Sequence, residues 1–105
     1  MLRITPVAIE VVQMLQPMIQ DIRKHDRNMA VQLSDASSST AANICEGNGH
    51  EGRARRAKYL IALGEARETV GWIQMAEARG IATRPAGIDA KLNHIIGVLV
   101  KLTRR

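Results

Sequence analysis

The chain has 105 residues, with 15 lysines and arginines against 10 acidic residues and a formal net charge of +5. Hydrophobic residues make up 46% of it and aromatic residues only 2%, so a folded core must be aliphatic, as in helical bundles. The lone cysteine excludes an internal disulfide framework, and no uncharged apolar run approaches the length of a membrane span. The amino-terminal residues lack the apolar core and cleavage site of a signal peptide, so we expect one soluble, cytoplasmic domain over residues 1–105.

The first predicted helix begins near Thr5, which can cap it, and Pro6, which loses no hydrogen bond at the first helical position. Pro17 lies within the helical pattern and removes one backbone donor, which predicts a kink near residues 13–17 rather than two separate helices. A turn follows, with Asp26 as the expected cap of the next helix. The apolar stripe of the first helix consists of Val7, Val11, Met14, Leu15, Met18 and Ile22.

The second predicted helix carries small residues on its inward face. The hydroxyl residues at 37–40 would by themselves suggest a loop, because Ser and Thr side chains compete for backbone groups. The flanking spacing of four and three residues favours a helix instead, and small side chains let a neighbouring helix approach closely. Gly47 and Gly49 are expected to end the helix by adopting positive φ. The inward face consists of Met29, Leu33, Ala36, Thr40, Asn43 and Gly47, widened by Ser37 and Ile44.

The third predicted helix covers about residues 51–79 and is apolar on two sides. One side continues from Tyr59 to Ala76 at helical spacing and faces the bundle core. Three neighbouring helices in a small bundle cannot cover the other side as well. We therefore predict that this second side is a subunit interface. It consists of Ile61, Trp72 and Met75, with Glu65 and Glu68 set among them.

The fourth predicted helix follows a loop over residues 81–87, which begins after Gly80 ends the third helix. Thr83 is its expected cap, with Pro85 in the first turn. Four amphipathic helices joined by short turns predict an all-α fold, an up-down-up-down four-helix bundle. The seam of the fourth helix consists of Ile88, Leu92, Ile95, Leu99 and Leu102.

Two motifs on the middle helices carry a resemblance to a known family. The run Asn43-Ile44-Cys45-Glu46-Gly47, followed by Tyr59-Leu60-x-Ala62-x-Gly64-x-x-x-Glu68, resembles a family of bacterial four-helix bundle proteins. These proteins are encoded by open reading frames in intervening sequences of large-subunit ribosomal RNA genes. The chain departs from the family pattern at Asp35, where the family usually has Arg. The motif residues matched are Asn43, Glu46, Gly47, Gly64 and Glu68.

The resemblance implies more than the fold. Members of the family form pentameric barrels, so it implies a homopentamer. A fainter similarity links the chain to the accessory variability determinant of diversity-generating retroelements, a bundle that associates with a reverse transcriptase and nucleic acid. This similarity implies a role as an adaptor for RNA or for an RNA-handling protein.

Residues able to carry chemistry are few and scattered. A two-metal bundle site requires Glu-x-x-His steps, and none occurs in the sequence. Cys45 has no histidine at a spacing that would supply a base, so we expect a packed thiol. Asn43, Glu46, Glu65 and Glu68 are polar residues on or near the packing faces of the middle helices. Two of the carboxylates could share a proton for acid–base chemistry, but a hydrogen-bonded set that fixes helix register, or contacts across a subunit boundary, is the commoner arrangement. We predict no catalytic, cofactor-binding or metal-binding residue.

A basic cluster opens the third helix. Positive charges there oppose the helix dipole at a cost of a few tenths of a kcal/mol each, which suggests a use such as binding phosphates. The alternative is a solvated face that keeps the protein soluble. The cluster consists of Arg53, Arg55, Arg56 and Lys58.

These patterns predict a non-enzymatic, homo-oligomeric bundle that binds RNA, or an RNA-handling protein, through a basic surface. Two aromatic residues cannot form a base-stacking platform, so any nucleic-acid contact should be directed at the backbone and sensitive to salt. Two alternatives remain open. One is a purely structural or protein-interaction module, and the other is an enzyme or metal carrier that uses Glu46, Glu65 and Glu68.

Overall fold

A computed structural model describes residues 3–104 of the chain. It contains four helices, α1 (Ile4–Arg23), α2 (Arg27–Asn48), α3 (Gly52–Ala78) and α4 (Ile88–Thr103), and the described residues form no strand. Each helix packs against its two neighbours in the cyclic order α1, α2, α3, α4. Connections over residues 24–26, 49–51 and 79–87 reverse the chain between them, giving a rod of 43 × 23 × 21 Å. The predicted all-α, up-down-up-down four-helix bundle is confirmed.

The core is aliphatic, as the composition predicted. Tyr59 is the aromatic residue of the core and is 3% exposed. Burying one Leu or Ile side chain contributes roughly 1.5–3 kcal/mol, so the apolar stripes of the four helices supply the main force that holds the bundle together. The largest fully buried aliphatic side chains are Ile4, Leu15, Ile22, Leu33, Ile44, Ile73, Ile88, Leu92, Ile95 and Leu99.

Helix α1 starts earlier than the sequence indicated. It begins at Ile4, so Thr5 lies inside it, is buried and does not cap it. The Thr5 hydroxyl instead accepts a hydrogen bond of 3.0 Å from the Nδ2 of Asn48, a partner 43 residues away. The predicted cap is therefore wrong. The helix does continue through Pro17 as one element, as expected, while the predicted kink stays a prediction.

Helix α2 satisfies its buried hydroxyls internally. Ser37 donates to the carbonyl of Leu33 at 2.9 Å, and Thr40 donates to the carbonyl of Ala36 at 2.8 Å. Both side chains are almost fully buried, and these bonds spare the cost of an unpaired polar group in the core. Because the inward residues are small, α2 and α3 share the most extensive contact between any two helices.

Gly47 is needed for space rather than for backbone conformation. It lies within α2, and a Cβ at this position would lie 2.6 Å from the Cδ1 of Tyr59. Gly49 has a φ of −88°, so the prediction that these glycines end the helix by positive φ is wrong. Positive φ occurs instead at Gly80, which follows α3, and at Gly87, which takes the cap position predicted for Thr83 at the start of α4.

Ion pairs join the helices at the end of the bundle where α2 and α4 begin. Asp26 caps α2, as predicted, by accepting from the backbone N–H of Met29 at 2.9 Å, and it also accepts from Arg79 at 2.6 Å. The bond from Arg79 holds the pKa of Asp26 below its ordinary value of 3.8. Arg84 donates to Glu77 from Nε and Nη2, which form one edge of its guanidinium, and its Nη1 donates to Asp89 on α4. Hydrogen bonds from Arg84 lower the pKa of Glu77 in the same way.

Candidate nucleic-acid interface

Basic residues are concentrated at the end of the bundle where α3 begins and α2 and α4 finish, which we call the basic end. Among residues 3–104, seven basic residues lie there against two acidic ones, Glu46 and Glu51. The opposite end has five basic and four acidic residues, and the middle of the rod has two basic and four acidic. The net positive charge is therefore localised. The seven residues are Arg3, Arg53, Arg55, Arg56, Lys58, Lys101 and Arg104.

Arg55 binds the carboxyl end of α2. Its Nε donates to the carbonyls of His50 at 2.6 Å and Gly47 at 3.2 Å, and its Nη2 donates to the carbonyl of Asn48 at 3.5 Å. The last carbonyls of a helix have no partner within the helix and form the negative pole of its dipole. The positive charge that opposes the dipole of α3 thus complements the dipole of the antiparallel α2.

Arg56 binds the carboxyl end of α4 in the same manner. Its Nε donates to the carbonyl of Thr103 at 2.8 Å. This bond joins residues 47 positions apart and fixes the guanidinium plane against α4. Within residues 3–104 the two Nη groups of Arg56 make no hydrogen bond, so the edge of the guanidinium that they form has no partner there.

Lys58 and Arg53 differ in their pairing. Lys58 lies 2.8 Å from a carboxylate oxygen of Glu46, and the hydrogen bond from Lys58 lowers the pKa of Glu46. Both side chains are partly exposed, so the pair contributes little to stability. Arg53 is exposed and has no ion pair or side-chain hydrogen bond within the described part of the chain. The prediction that Arg53, Arg55, Arg56 and Lys58 bind nucleic acid stays a prediction, and the structure shows that three of them also bind other helices.

A shallow depression opens beside these arginines. It has a volume of about 470 Å³ and is lined by Arg53, Arg56, Ala57 and Leu60. Leu60 is 40% exposed. The depression therefore combines two cations with an aliphatic wall.

Sequence reasoning missed the hydrogen-bonded group beneath the basic end. The hydroxyl of Tyr59 donates to Oδ1 of Asn48 at 2.9 Å, while the same amide donates to Thr5. The group joins α1, α2 and α3. The indication available in the sequence was Tyr59 itself, because a tyrosine on a core-facing stripe requires a partner for its hydroxyl.

The remaining motif residues lie along the outer surface. Asn43 is half-buried and donates to the carbonyl and the hydroxyl of Ser39. Gly64 and Glu68 are exposed on α3, and a Cβ at Gly64 would meet no atom within 4 Å other than its neighbours in the chain and the backbone of its own helix turn. Burial raises the pKa of Glu65, with further contributions from the charges of Glu68 and Asp35.

The predicted oligomer interface is solvent-exposed in the single chain. Ile61 is 48% and Met75 is 43% exposed. Trp72 is half-buried, and its Nε1 is shielded from solvent without an acceptor among the described residues. We call this surface the α3 outer face. It consists of Ile61, Gly64, Glu68, Gly71, Trp72 and Met75.

Cys45 does not occupy the packed position expected from the sequence. Its side chain is exposed on α2, so that prediction is wrong.

Glu46 lies at the basic end and Glu65 in the middle of the rod, on different helices. Among the residues that the structure describes, no three His, Cys, Asp or Glu side chains gather as metal ligands. None of the four described helices is long and apolar enough to cross a membrane.

The fold and motifs define a small helical-bundle protein with one basic end. The chain matches the family model described as 23S rRNA-intervening sequence protein over residues 2–101, and it belongs to that family. It is also similar in structure to a protein of unknown function from the S23 ribosomal protein family of Bacteroides thetaiotaomicron. That similarity has a TM-score of 0.84 at 21% identity and covers 97% of this chain and 99% of the other. No curated protein matches the chain.

These comparisons confirm the family predicted from the motifs at residues 43–47 and 59–68. The structural match extends over nearly the whole length of both chains and supports the four-helix bundle. Neither description names an enzymatic activity.

Proposed function

We propose that the protein is a non-enzymatic adaptor that associates with copies of itself and binds RNA through the basic end. The observation that carries the proposal is the segregation of charge. Seven basic residues meet two acidic ones at one end, while the middle of the rod has the opposite balance. A solvated surface that served only solubility would not require this separation.

Binding of this kind is directed at phosphates. Tyr59 is buried and Trp72 lies on the α3 outer face, so no aromatic side chain at the basic end can stack on bases. Affinity then comes from Lys and Arg contacts that release counterions from the nucleic acid. The family description refers to intervening sequences of 23S rRNA, and that association supports RNA as the polyanion. The cytoplasmic location expected from the sequence is part of the proposal.

Self-association strengthens the basic end by repetition. We assign it to the α3 outer face, where the side chains of Ile61 and Met75 remain 48% and 43% exposed. Gly64 and Gly71, one heptad apart, leave open space for a neighbouring helix. The pentamer implied by the family resemblance would bring five basic ends together.

The second candidate is a structural or protein-interaction module with no nucleic-acid role. It is favoured by a specific observation, because Arg55, Arg56 and Lys58 each have a partner within the bundle. On this view the basic residues serve the helix ends and the excess charge is incidental.

Salt dependence separates the two candidates. Fluorescence anisotropy with a labelled, unstructured RNA strand would measure the dissociation constant at several salt concentrations. For the adaptor, log Kd should rise linearly with log salt and affinity should fall steeply between about 50 and 200 mM. A Kd that is insensitive to salt, or the absence of binding, would favour the structural module.

Metal content tests the enzyme alternative. The proposal expects purified protein to be folded without bound metal, because Glu46 is paired with Lys58 and lies apart from Glu65. Elemental analysis showing a stoichiometric transition metal would contradict it.

A further inference from the structure

We infer that the depression at the start of α3 binds an unpaired nucleotide, with its phosphate between Arg53 and Arg56 and its sugar and base against Ala57 and Leu60. This inference rests on the proposed RNA-binding function. It adds a preference for single-stranded over double-stranded RNA, which charge alone does not supply.

The four lining residues share one face of α3. They are spaced three, one and three positions apart, so the two arginines lie one helical turn from each other. Side chains at that spacing have Cβ atoms about 5–6 Å apart. Two guanidinium groups attached there can converge on the oxygens of one phosphate.

The hydrogen bonds within the basic end determine which of its cationic side chains can bind a ligand. Arg55 is held by three carbonyls and Lys58 by Glu46. Among residues 3–104 Arg56 donates from its Nε alone, to Thr103, which orients the guanidinium and leaves its two Nη groups to a ligand. Arg53 has no partner within the described residues. The depression thus contains one pre-oriented arginine and one that is free to move.

The aliphatic side of the depression, formed by Ala57 and Leu60, determines which part of a ligand besides its phosphate can bind there. Leu60 is 40% exposed beside these cations, and a phosphate alone makes no use of such a surface. In an RNA duplex the bases are stacked inside and the protein meets phosphates and riboses. An unpaired nucleotide exposes its base, which can pack on aliphatic side chains or on the plane of a guanidinium.

The test compares two RNA ligands of equal length, an unstructured oligouridine strand and a blunt duplex. Anisotropy titrations use the full-length protein and three variants, Arg53→Ala, Leu60→Asn and Lys101→Ala. Lys101 is an exposed cation of the basic end outside the depression, so its variant controls for the loss of one charge.

We expect Leu60→Asn to weaken binding of the single strand about five-fold, from the loss of apolar contact, while duplex binding changes less than about two-fold. Arg53→Ala should weaken binding of the single strand about ten-fold. It should also reduce the slope of log K against log salt by about 0.7, the value for one phosphate contact. Lys101→Ala should weaken binding of both ligands by the same smaller factor.

Four outcomes would overturn the inference. If Leu60→Asn leaves binding of the single strand unchanged, or weakens binding of the duplex equally, the assignment of the depression to an unpaired nucleotide is wrong. The proposed adaptor function is not affected by that outcome. If light scattering shows that this variant changes the oligomeric mass, Leu60 belongs to the self-association surface. If polyglutamate displaces oligouridine at equal charge concentration, the depression takes an acidic peptide. If the unmodified protein binds neither RNA, the inference and the proposed function fail together.

Discussion

The two ends of the bundle use arginine for the same structural purpose with different electrostatic results. At the opposite end, Arg79 and Arg84 bind carboxylates of Asp26, Glu77 and Asp89, so the charges cancel. At the basic end, Arg55 and Arg56 bind main-chain carbonyls. A carbonyl satisfies an N–H donor and carries only a partial charge, so the positive charge remains. Hydrogen bonding to neutral groups lets the same residues hold helices together and attract an anion.

The largest expected effect concerns the packing beneath the basic end. Gly47→Ala should destabilise the fold by about 1–3 kcal/mol, because its Cβ meets the ring of Tyr59, which is held by Asn48. Gly49→Ala is the matched control, since a Cβ there meets only a carbonyl at 3.5 Å. Urea denaturation followed by circular dichroism would measure both. Equal stability of the two variants would show that the Tyr59 ring adjusts.

Replacing one arginine at each end tests the comparison directly. Arg55→Met and Arg84→Met should each lower the free energy of unfolding by about 1 kcal/mol, because each loses charged hydrogen bonds at a partly exposed site. Only Arg55→Met should also weaken RNA binding, since Arg84 is neutralised by Glu77 and Asp89. Chemical denaturation and anisotropy give the two readouts. Equal losses of RNA affinity would contradict the distinction between the ends.

The glycines of the α3 outer face test self-association separately. Gly64→Ala and Gly71→Ala should each stabilise the isolated chain by about 0.5–1 kcal/mol, because glycine is a poor helix former and an added Cβ at either site meets no side chain and no other helix within 4 Å. The same changes should weaken self-association by filling the space for a second helix. Denaturation at low concentration and light scattering at high concentration would measure these opposite effects. Gains in stability with unchanged mass would place the interface elsewhere.

The smallest expected effect is a dependence of stability on pH at the opposite end. The pKa values of Asp26 and Glu77 are lowered in the folded chain from ordinary values of 3.8 and 4.5. Their contribution is therefore complete above about pH 4.5 and is lost as the pH falls through the lowered values. Exposed pairs contribute little, so the melting temperature should decline gently below that pH. In Arg84→Met the part of this decline due to Glu77 should disappear.

Periodicity was sufficient for the fold because each helix carries its own core stripe. The seam of α4 is buried from Ile88 to Leu99 as its spacing predicted, but its last predicted member, Leu102, is 43% exposed at the end of the helix. The cap at Asp26 was also predictable, because its partner Met29 lies three residues away. Features that depend only on neighbours in the sequence were the ones that could be derived from it.

The errors occurred where a distant residue competes with a local pattern. Thr5 stands before a proline like a helix cap, yet its hydroxyl binds Asn48. For the basic cluster of α3 the sequence left phosphate binding and a solvated face open, and it did not indicate the contacts between helices, because nothing in it shows that the last carbonyls of α2 and α4 lie within reach of Arg55 and Arg56. Those contacts depend on how the helices meet, which periodicity does not specify.

The positions of the two aromatic side chains make each proposed surface optically distinguishable. The chain has one tyrosine and one tryptophan. Tyr59 lies under the end proposed for RNA, and Trp72 lies on the face proposed for a second copy. Tryptophan fluorescence of the unlabelled protein should therefore follow dilution, because Trp72 lies on the face proposed for a second copy. Phosphate binding above the buried Tyr59 should leave that emission unchanged, so the signal reports self-association by itself.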